Sequence, residues 1–294
     1  MTEQLETATF GRTGVDVTRL GYGAMELRTE PRGRPLTSEQ AGAVLNAVLD
    51  SGINFIDTAD CYGRAEEFIG EHLSHRRSEY TLATKCGCIL TGGKEWASEN
   101  LLTGLERSLK RMKTDHVDVM QLHGATVEDC EKGGLVETLQ MMNQEGKVRW
   151  IGASTHAEQV GAFIDTGAFD AFQLPYSAFS RGNEPWITQA SNAGIGTIIR
   201  GGVAKGEPGP DARNPERFDM FSEAGLDDLR EEGESRTGFM LRFTLSHPDI
   251  HTIIVGTQKP AHLKENVRAA LRGPLSDDMY AEAKRRLDAA GSTV

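Results

Sequence analysis

A closed (β/α)8 barrel of the TIM type, preceded by a short β-hairpin, is the fold class this sequence predicts. Short apolar runs rich in β-branched residues alternate with longer stretches of helical period along the chain. Eight such pairs in one unbroken series imply a parallel sheet, and eight is the number of strands that closes one. The length of 294 residues accommodates a barrel of roughly 250 residues. No linker or composition shift divides the chain, so one domain over residues 1–294 is expected.

The elements follow in order. Thr9–Thr18 alternates around Arg12-Thr13-Gly14 and reads as the hairpin. Leu20–Met25 is the first inner strand, its small residues permitting close backbone packing. Thr37 or Ser38 can cap a helix that runs to about Asp50 with apolar residues at Val44, Leu45, Val48 and Leu49. Ile53–Gly63, INFIDTADCYG, starts as a buried parallel strand and leaves the core in polar residues and a glycine. A helix from Ala65 to about Leu73 follows.

The alternation then repeats. Strands are expected at Tyr80–Cys86, His116–Leu122, Val148–Ala153, Ala171–Leu174, Gly196–Ile199 and Ile250–Val255. Helices are expected at Ser98–Met112, Leu135–Glu145, Ala157–Thr166, Pro185–Ala193, Gly238–Ser246 and His262–Leu271, with a last one near Asp277–Ala290. Gly201–Glu234 reads as one long irregular stretch, a length that is usually functional or mobile.

Composition excludes several classes. A net charge of −11, from 32 basic and 43 acidic residues, argues against a nucleic-acid partner, because phosphate backbones demand a basic face. No run of 18 apolar residues occurs, and MTEQLETATF lacks a basic-then-apolar signal pattern. A soluble, cytoplasmic protein with no membrane partner is the expectation. Cys61, Cys86, Cys88 and Cys130 form neither a pair of CxxC motifs nor a dense disulfide framework. Cys86-Gly87-Cys88 could bind a metal, but the pattern reads first as reduced thiols at a strand end, and no metal is expected.

In such a barrel the active site lies where the strands end. The polar residues at those ends are Asp57, Tyr62, Lys85, Cys86, His123, Ser154, Gln173 and Arg200. Taken singly they are bland: Asp57 as a cap of the next turn, Tyr62 as a rim aromatic, Lys85 as a surface lysine, His123 as a core histidine. Together they make chemical sense. Tyrosine titrates near ~10, a nearby ammonium stabilises its phenolate, and a carboxylate can hold that ammonium in place. A histidine alongside can hydrogen-bond the same carbonyl oxygen. General acid catalysis of this kind gives ~10²–10⁴-fold, about 3–5 kcal/mol, so a strong electron donor is also required.

Three motifs in order carry a resemblance. They are Ile56-Asp57-Thr58-Ala59-Asp60-Cys61-Tyr62-Gly63, Ala83-Thr84-Lys85, and Leu105–Asp118 with Gln121-Leu122-His123. In these the chain resembles the aldo-keto reductases, and the likeness runs from Phe10-Gly11-Arg12-Thr13-Gly14 to Lys264-Glu265-Asn266-Val267. The resemblance implies a (β/α)8 barrel that binds an extended nicotinamide cofactor, usually NADPH, across the C-terminal ends of its strands. It implies Tyr62 as general acid/base, Lys85 and Asp57 as the residues that tune it, and His123 as the residue that positions the carbonyl.

The resemblance also implies the cofactor site. Ser154 and Gln173 stand where the family holds the nicotinamide carboxamide. Thr155 falls where many members have Asn. Arg200 replaces the aromatic that many members stack on the nicotinamide; a guanidinium plane can stack too, and its charge favours the reduced ring. Gly201, Gly202, Val203, Lys205 and Gly206 would wrap the pyrophosphate, with Gly23 facing the cofactor from the first strand. Gly256, Thr257, Lys259 and His262 stand near the 2′-phosphate and adenine, with Glu265 and Asn266 on the adenine. NADP is favoured and NAD is possible. No GxGxxG follows the first strand, so the doubly wound dinucleotide fold is a poor reading.

On the substrate side, Met25, Tyr62, His123, the stretch Gly87–Trp96 and the loop after Gly201 should line the pocket, with Trp96 as an aromatic wall. The function expected is NADPH-dependent reduction of a small-molecule aldehyde or ketone, with the proton from Tyr62. Two alternatives use the same barrel: a nicotinamide-binding regulatory or interaction subunit, and a lyase or isomerase that recycles its cofactor. Nothing in the pattern specifies an oligomeric state.

Overall fold

The computed structural model describes residues 4–31, 33–88, 96–208 and 215–292. β1 (Thr7–Thr9) and β2 (Asp16–Thr18) pair antiparallel, and the turn between them closes through Gly14 at φ 71°, a left-handed conformation that glycine adopts without strain. The barrel strands are β3 (Leu20–Gly23), β4 (Phe55–Asp57), β5 (Thr81–Cys86) and β6 (Val117–His123), then β7 (Val148–Ser154), β8 (Ala171–Pro175), β9 (Gly196–Arg200) and β10 (Thr252–Val255). They pair in parallel in chain order, and β10 closes the ring between β9 and β3. The fold class read from the sequence is the observed one.

Most helices fall where their apolar spacing puts them. Ser38–Asp50 begins with a capping box in which Thr37 accepts from the Gln40 N–H and the Gln40 side chain accepts from the Thr37 N–H. Ser98–Met112 is one continuous helix. Three readings are corrected. The first inner strand stops at Gly23, and Ala24–Arg28 forms a 3-10 turn. The strand of INFIDTADCYG starts only at Phe55, because the Asn54 side chain accepts from the Thr18 backbone and ties this residue to the hairpin. Gly201–Glu234 is not irregular throughout. Pro215–Phe218 and Leu226–Leu229 are 3-10 turns flanking a helix at Asp219–Glu223, anchored by the buried side chains of Phe218, Phe221 and Leu226. A further short helix, Val127–Gly133, was not anticipated.

The barrel interior positions the site. Phe55, Ala83, Val119, Ala171 and Ile198 form one inward layer, and Phe10 and Val17 of the hairpin region pack against it at the closed end. Side chains two residues apart on a strand share a face. The next inward positions on the same strands are therefore Asp57, Lys85, Gln121, Gln173 and Arg200. A polar layer sits directly above an apolar one, at the end where the strands run out. Among the described residues no helix is long and apolar enough to cross a membrane.

Candidate active site

Asp57 and Lys85 are buried at the centre of the polar layer, 2 % and 0 % exposed. Lys85 Nζ lies 2.5 Å from Asp57 Oδ2 and donates also to the Thr58 carbonyl at 2.9 Å. Asp57 Oδ1 accepts from Gln121 Nε2 at 2.9 Å and from Gln173 Nε2 at 2.8 Å. Ser154 Oγ donates in turn to Gln173 Oε1 at 3.1 Å. Register brings this set together: Lys85 faces Gln121, Gln121 faces Gly152, and Ser154 faces Gln173. Gly152 leaves the room that Gln121 needs, since a Cβ there would stand 3.2 Å from Gln121 Cγ. Burial alone would push the Lys85 ammonium down, but Asp57 and Tyr62 more than reverse it and raise it above the ordinary lysine value.

Tyr62 lies on the loop after β4, and that loop is pinned to β5. The Thr58 N–H donates to the Ala83 carbonyl at 2.8 Å and the Asp60 N–H to the Lys85 carbonyl at 3.2 Å. Gly63, at φ 52°, sits so close to the Arg28 carbonyl that a Cβ would meet it at 2.0 Å. From beneath, the helix Ser98–Met112 sends Arg107 to Asp60 Oδ2 at 3.3 Å and Arg111 to the Asp60 carbonyl at 2.9 Å and to Glu66 at 3.2 Å. The Tyr62 ring then lies with its centroid 5.1 Å from Lys85 Nζ. Burial raises the Tyr62 phenol, and the Lys85 ammonium offsets this only in part. The ammonium does not turn Tyr62 into a phenolate; it leaves a protonated acid beside a cation.

His123 ends β6 and meets the Tyr62 ring edge-on, centroids 5.9 Å apart. Two thiols face its other side: Cys88 Sγ is 3.3 Å from His123 Nδ1 and Cys61 Sγ 3.6 Å. The Cys61 thiol is pulled down by its hydrogen bond with Cys88, and the Cys88 thiol is pushed up by the same bond. Asp60 beside them is raised to about 7, by burial first and then by Cys61 and Glu66.

The residues singled out for a cofactor lie along the same rim. Ser154, Thr155 and Gln173 are buried, and the Thr155 N–H donates to the Gln173 carbonyl at 3.1 Å. Arg200 ends β9 half-buried, and burial lowers its guanidinium against the pull of Tyr62 and Asp57. The turn after it is left-handed at Gly201, Ala204, Lys205 and Gly206, with Gly202 and Val203 buried. Gly256 approaches Gly23 so closely that a Cβ would stand 2.5 Å from the Gly23 carbonyl. The Lys259 N–H donates to Thr257 Oγ1 at 3.0 Å, and Lys259 caps the helix Pro260–Leu271, which carries His262, Glu265 and the buried Asn266. Met25 is 39 % exposed on the turn after β3. Trp96 covers Gly87, whose added Cβ would lie 2.1 Å from its ring. Of the Gly87–Trp96 wall, residues 89–95 lie outside the described residues.

Sequence reasoning missed Gln121, Cys61 and Cys88 as neighbours of Asp57, Tyr62, Lys85 and His123. Gln121 had a signal, the inward phase it shares with Val119; the two cysteines had none beyond lying near strand ends.

The model of the aldo/keto reductase family matches residues 19–287. The chain belongs to that family. As an aldo/keto reductase it is an NAD(P)-dependent oxidoreductase of carbonyl compounds. It is 29 % identical over 289 residues to the uncharacterized oxidoreductase YqkF of Bacillus subtilis, covering 91 % of this chain and 92 % of that one. It is 29 % identical over 308 residues to a probable voltage-gated potassium channel subunit beta of Oryza sativa, covering 88 % and 89 %. The holo form of an aldo-keto reductase from Bacillus halodurans superposes with a TM-score of 0.84 at 26 % identity, covering 96 % of each chain.

Proposed function

We propose that this chain reduces an aldehyde or ketone to an alcohol with NADPH, and that Tyr62 donates the proton. The observation that carries the reading is the buried Lys85–Asp57 pair, 2.5 Å apart, set against the Tyr62 ring. Raised by burial, the Tyr62 phenol is protonated at neutral pH and enters the reaction as an acid. As its proton leaves, the Lys85 ammonium stabilises the phenolate. His123, edge-on to Tyr62, donates to the same carbonyl oxygen and fixes its place between the two. Asp57 acts through others, holding Lys85 with one oxygen and Gln121 and Gln173 with the other.

The reduced nicotinamide, when bound, supplies the hydride. The residues present fit such a group. Among the described residues Gln173 has one partner on Oε1 and one on Nε2, which leaves a lone pair and an N–H for a carboxamide, with Ser154 and Thr155 alongside. Arg200 offers a flat cation to the ring. Non-glycine left-handed residues such as Ala204 and Lys205 cost about 1–3 kcal/mol each and cluster at ligand sites, which supports the Gly201–Gly206 turn as the pyrophosphate seat. Lys259 and His262 stand at a helix N-terminus, a place suited to a phosphate, and support NADP over NAD. Met25 and Trp96 border the space left for substrate.

The channel-subunit name of the rice relative favours a second reading, a cofactor-binding regulatory subunit on the same barrel. One experiment separates the readings. Mixed with NADPH and a reactive test aldehyde, the chain should yield alcohol and oxidised cofactor in equal amounts. Consumption of substrate without oxidised cofactor would mean elimination or isomerisation, and no consumption would mean the regulatory reading.

A further inference from the structure

Cys61, Cys88 and His123 form a cluster that carbonyl reduction leaves two-thirds unused. Their ligand atoms all lie within 4.8 Å of one another. They arrive from three separate strand ends, β4, β5 and β6, so barrel closure sets their spacing. A tetrahedral ion with M–S near ~2.3 Å and M–N near ~2.0–2.1 Å holds sulfur and nitrogen about 3.6 Å apart. The two observed S···N separations are 3.6 and 3.3 Å. The two S···N edges already have the lengths of such a site, and the two sulfurs lie within 4.8 Å of each other.

The exposure of the donors admits an ion. All three side chains are only partly buried, so an ion can reach them from the rim, and three protein ligands leave a fourth position open, as in reactive zinc sites. Two thiolates and an imidazole select borderline and soft ions over magnesium or calcium.

We infer that Cys61 Sγ, Cys88 Sγ and His123 Nδ1 bind one thiophilic divalent ion of the zinc class. The two thiols release their protons as the two metal–sulfur bonds form, and nothing is oxidised or reduced. The ion takes His123 Nδ1 and leaves the Nε2 proton free, so the binding does not rest on the reductase reading.

Cobalt(II) is the probe, added to the full-length, reduced, metal-free protein. One equivalent per chain should bind with the thiolate charge-transfer and intense visible bands of a tetrahedral site, and zinc should displace it. Cys61→Ser and Cys88→Ser should each weaken binding by more than ~100-fold, beyond the usual effect of losing an outer partner. Cys130→Ser should bind like the parent protein. Unchanged circular dichroism and NADPH affinity of the variants would show that they fold. Absence of the thiolate bands while all four thiols remain free, or bands that persist in both serine variants, would overturn the site.

Discussion

Lys85 Nζ and Asp57 Oδ2 sit 2.5 Å apart with both side chains out of water, while Asp57 Oδ1 takes the amides of Gln121 and Gln173. The two oxygens of one carboxylate thus serve two halves of the site. Asp57→Asn separates them. The asparagine carbonyl can still accept from both glutamines, whereas its NH2 group is set donor against donor with Lys85. Hydride transfer should fall about 10–100-fold, part of what a positioned acid supplies. NADPH affinity should stay within about threefold, well short of the cost of a lost charged contact. Stopped-flow rates and nucleotide titration check both. Unfolding free energy should fall by up to about 3–5 kcal/mol, because a charge left buried without its partner is costly.

Much of that core was legible in the sequence. Asp57, Lys85, Gln173 and Arg200 end short apolar strands, and period two aims each of them inward above a hydrophobic residue. Gln121 was harder, because it lies inside the run Val117–Leu122 and only the phase of Val119 marks it. Arg107 and Arg111 read as the polar face of an amphipathic helix; their reach to Asp60 and Glu66 exists only after that helix docks on the barrel. The proximity of Cys61 and Cys88 to His123 depends on the paths of two loops and on ring closure, which no local pattern encodes. The helices Val127–Gly133 and Asp219–Glu223 are too short to display a period, so their buried side chains passed as loop residues.

Arg200 has no acidic partner within ion-pair distance among the described residues, and in the proposed cofactor site its charge meets the nicotinamide. Arg200→Met should therefore narrow the preference for NADPH over NADP⁺. The expected change in the ratio of their dissociation constants is about 1–2 kcal/mol, roughly five- to thirty-fold, for a partly solvated charge pair. Fluorescence titration with each nucleotide measures it; an unchanged ratio would remove Arg200 from the ring's vicinity.

Lys259 is exposed at the start of the helix Pro260–Leu271. Lys259→Ala should weaken NADPH by about 1.5 kcal/mol, roughly tenfold, the lower end for one charge-assisted contact. NADH binding should not change. Equal losses for both nucleotides would place Lys259 away from the 2′-phosphate.

His251 Nδ1 accepts the Thr197 backbone N–H at 3.0 Å, so that nitrogen must carry no proton in the folded protein. Burial lowers the pKa of His251 below the usual histidine value, Arg19 adds to the effect, and Asp249 opposes it. The folded chain therefore binds fewer protons than the unfolded one. This contribution to stability is full above about pH 6.5, the unfolded value. It is lost as pH falls through that value towards the folded one, at up to about 1.4 kcal/mol per pH unit for one proton. His251→Asn, whose carbonyl can take the same N–H, should flatten the loss of melting temperature between about pH 8 and about pH 5. Part of the slope should remain with His247, which burial also lowers.

The proton donor is the central claim, and Tyr62→Phe tests it most directly. In a single turnover with saturating NADPH and a reactive test aldehyde, hydride transfer should slow by ~10²–10⁴-fold, the contribution of a positioned general acid. NADPH should bind as before, and Lys85, Asp57 and His123 should keep their places. A rate within about tenfold of the parent protein, below the range for a lost general acid, would contradict the account and show that the proton comes from elsewhere.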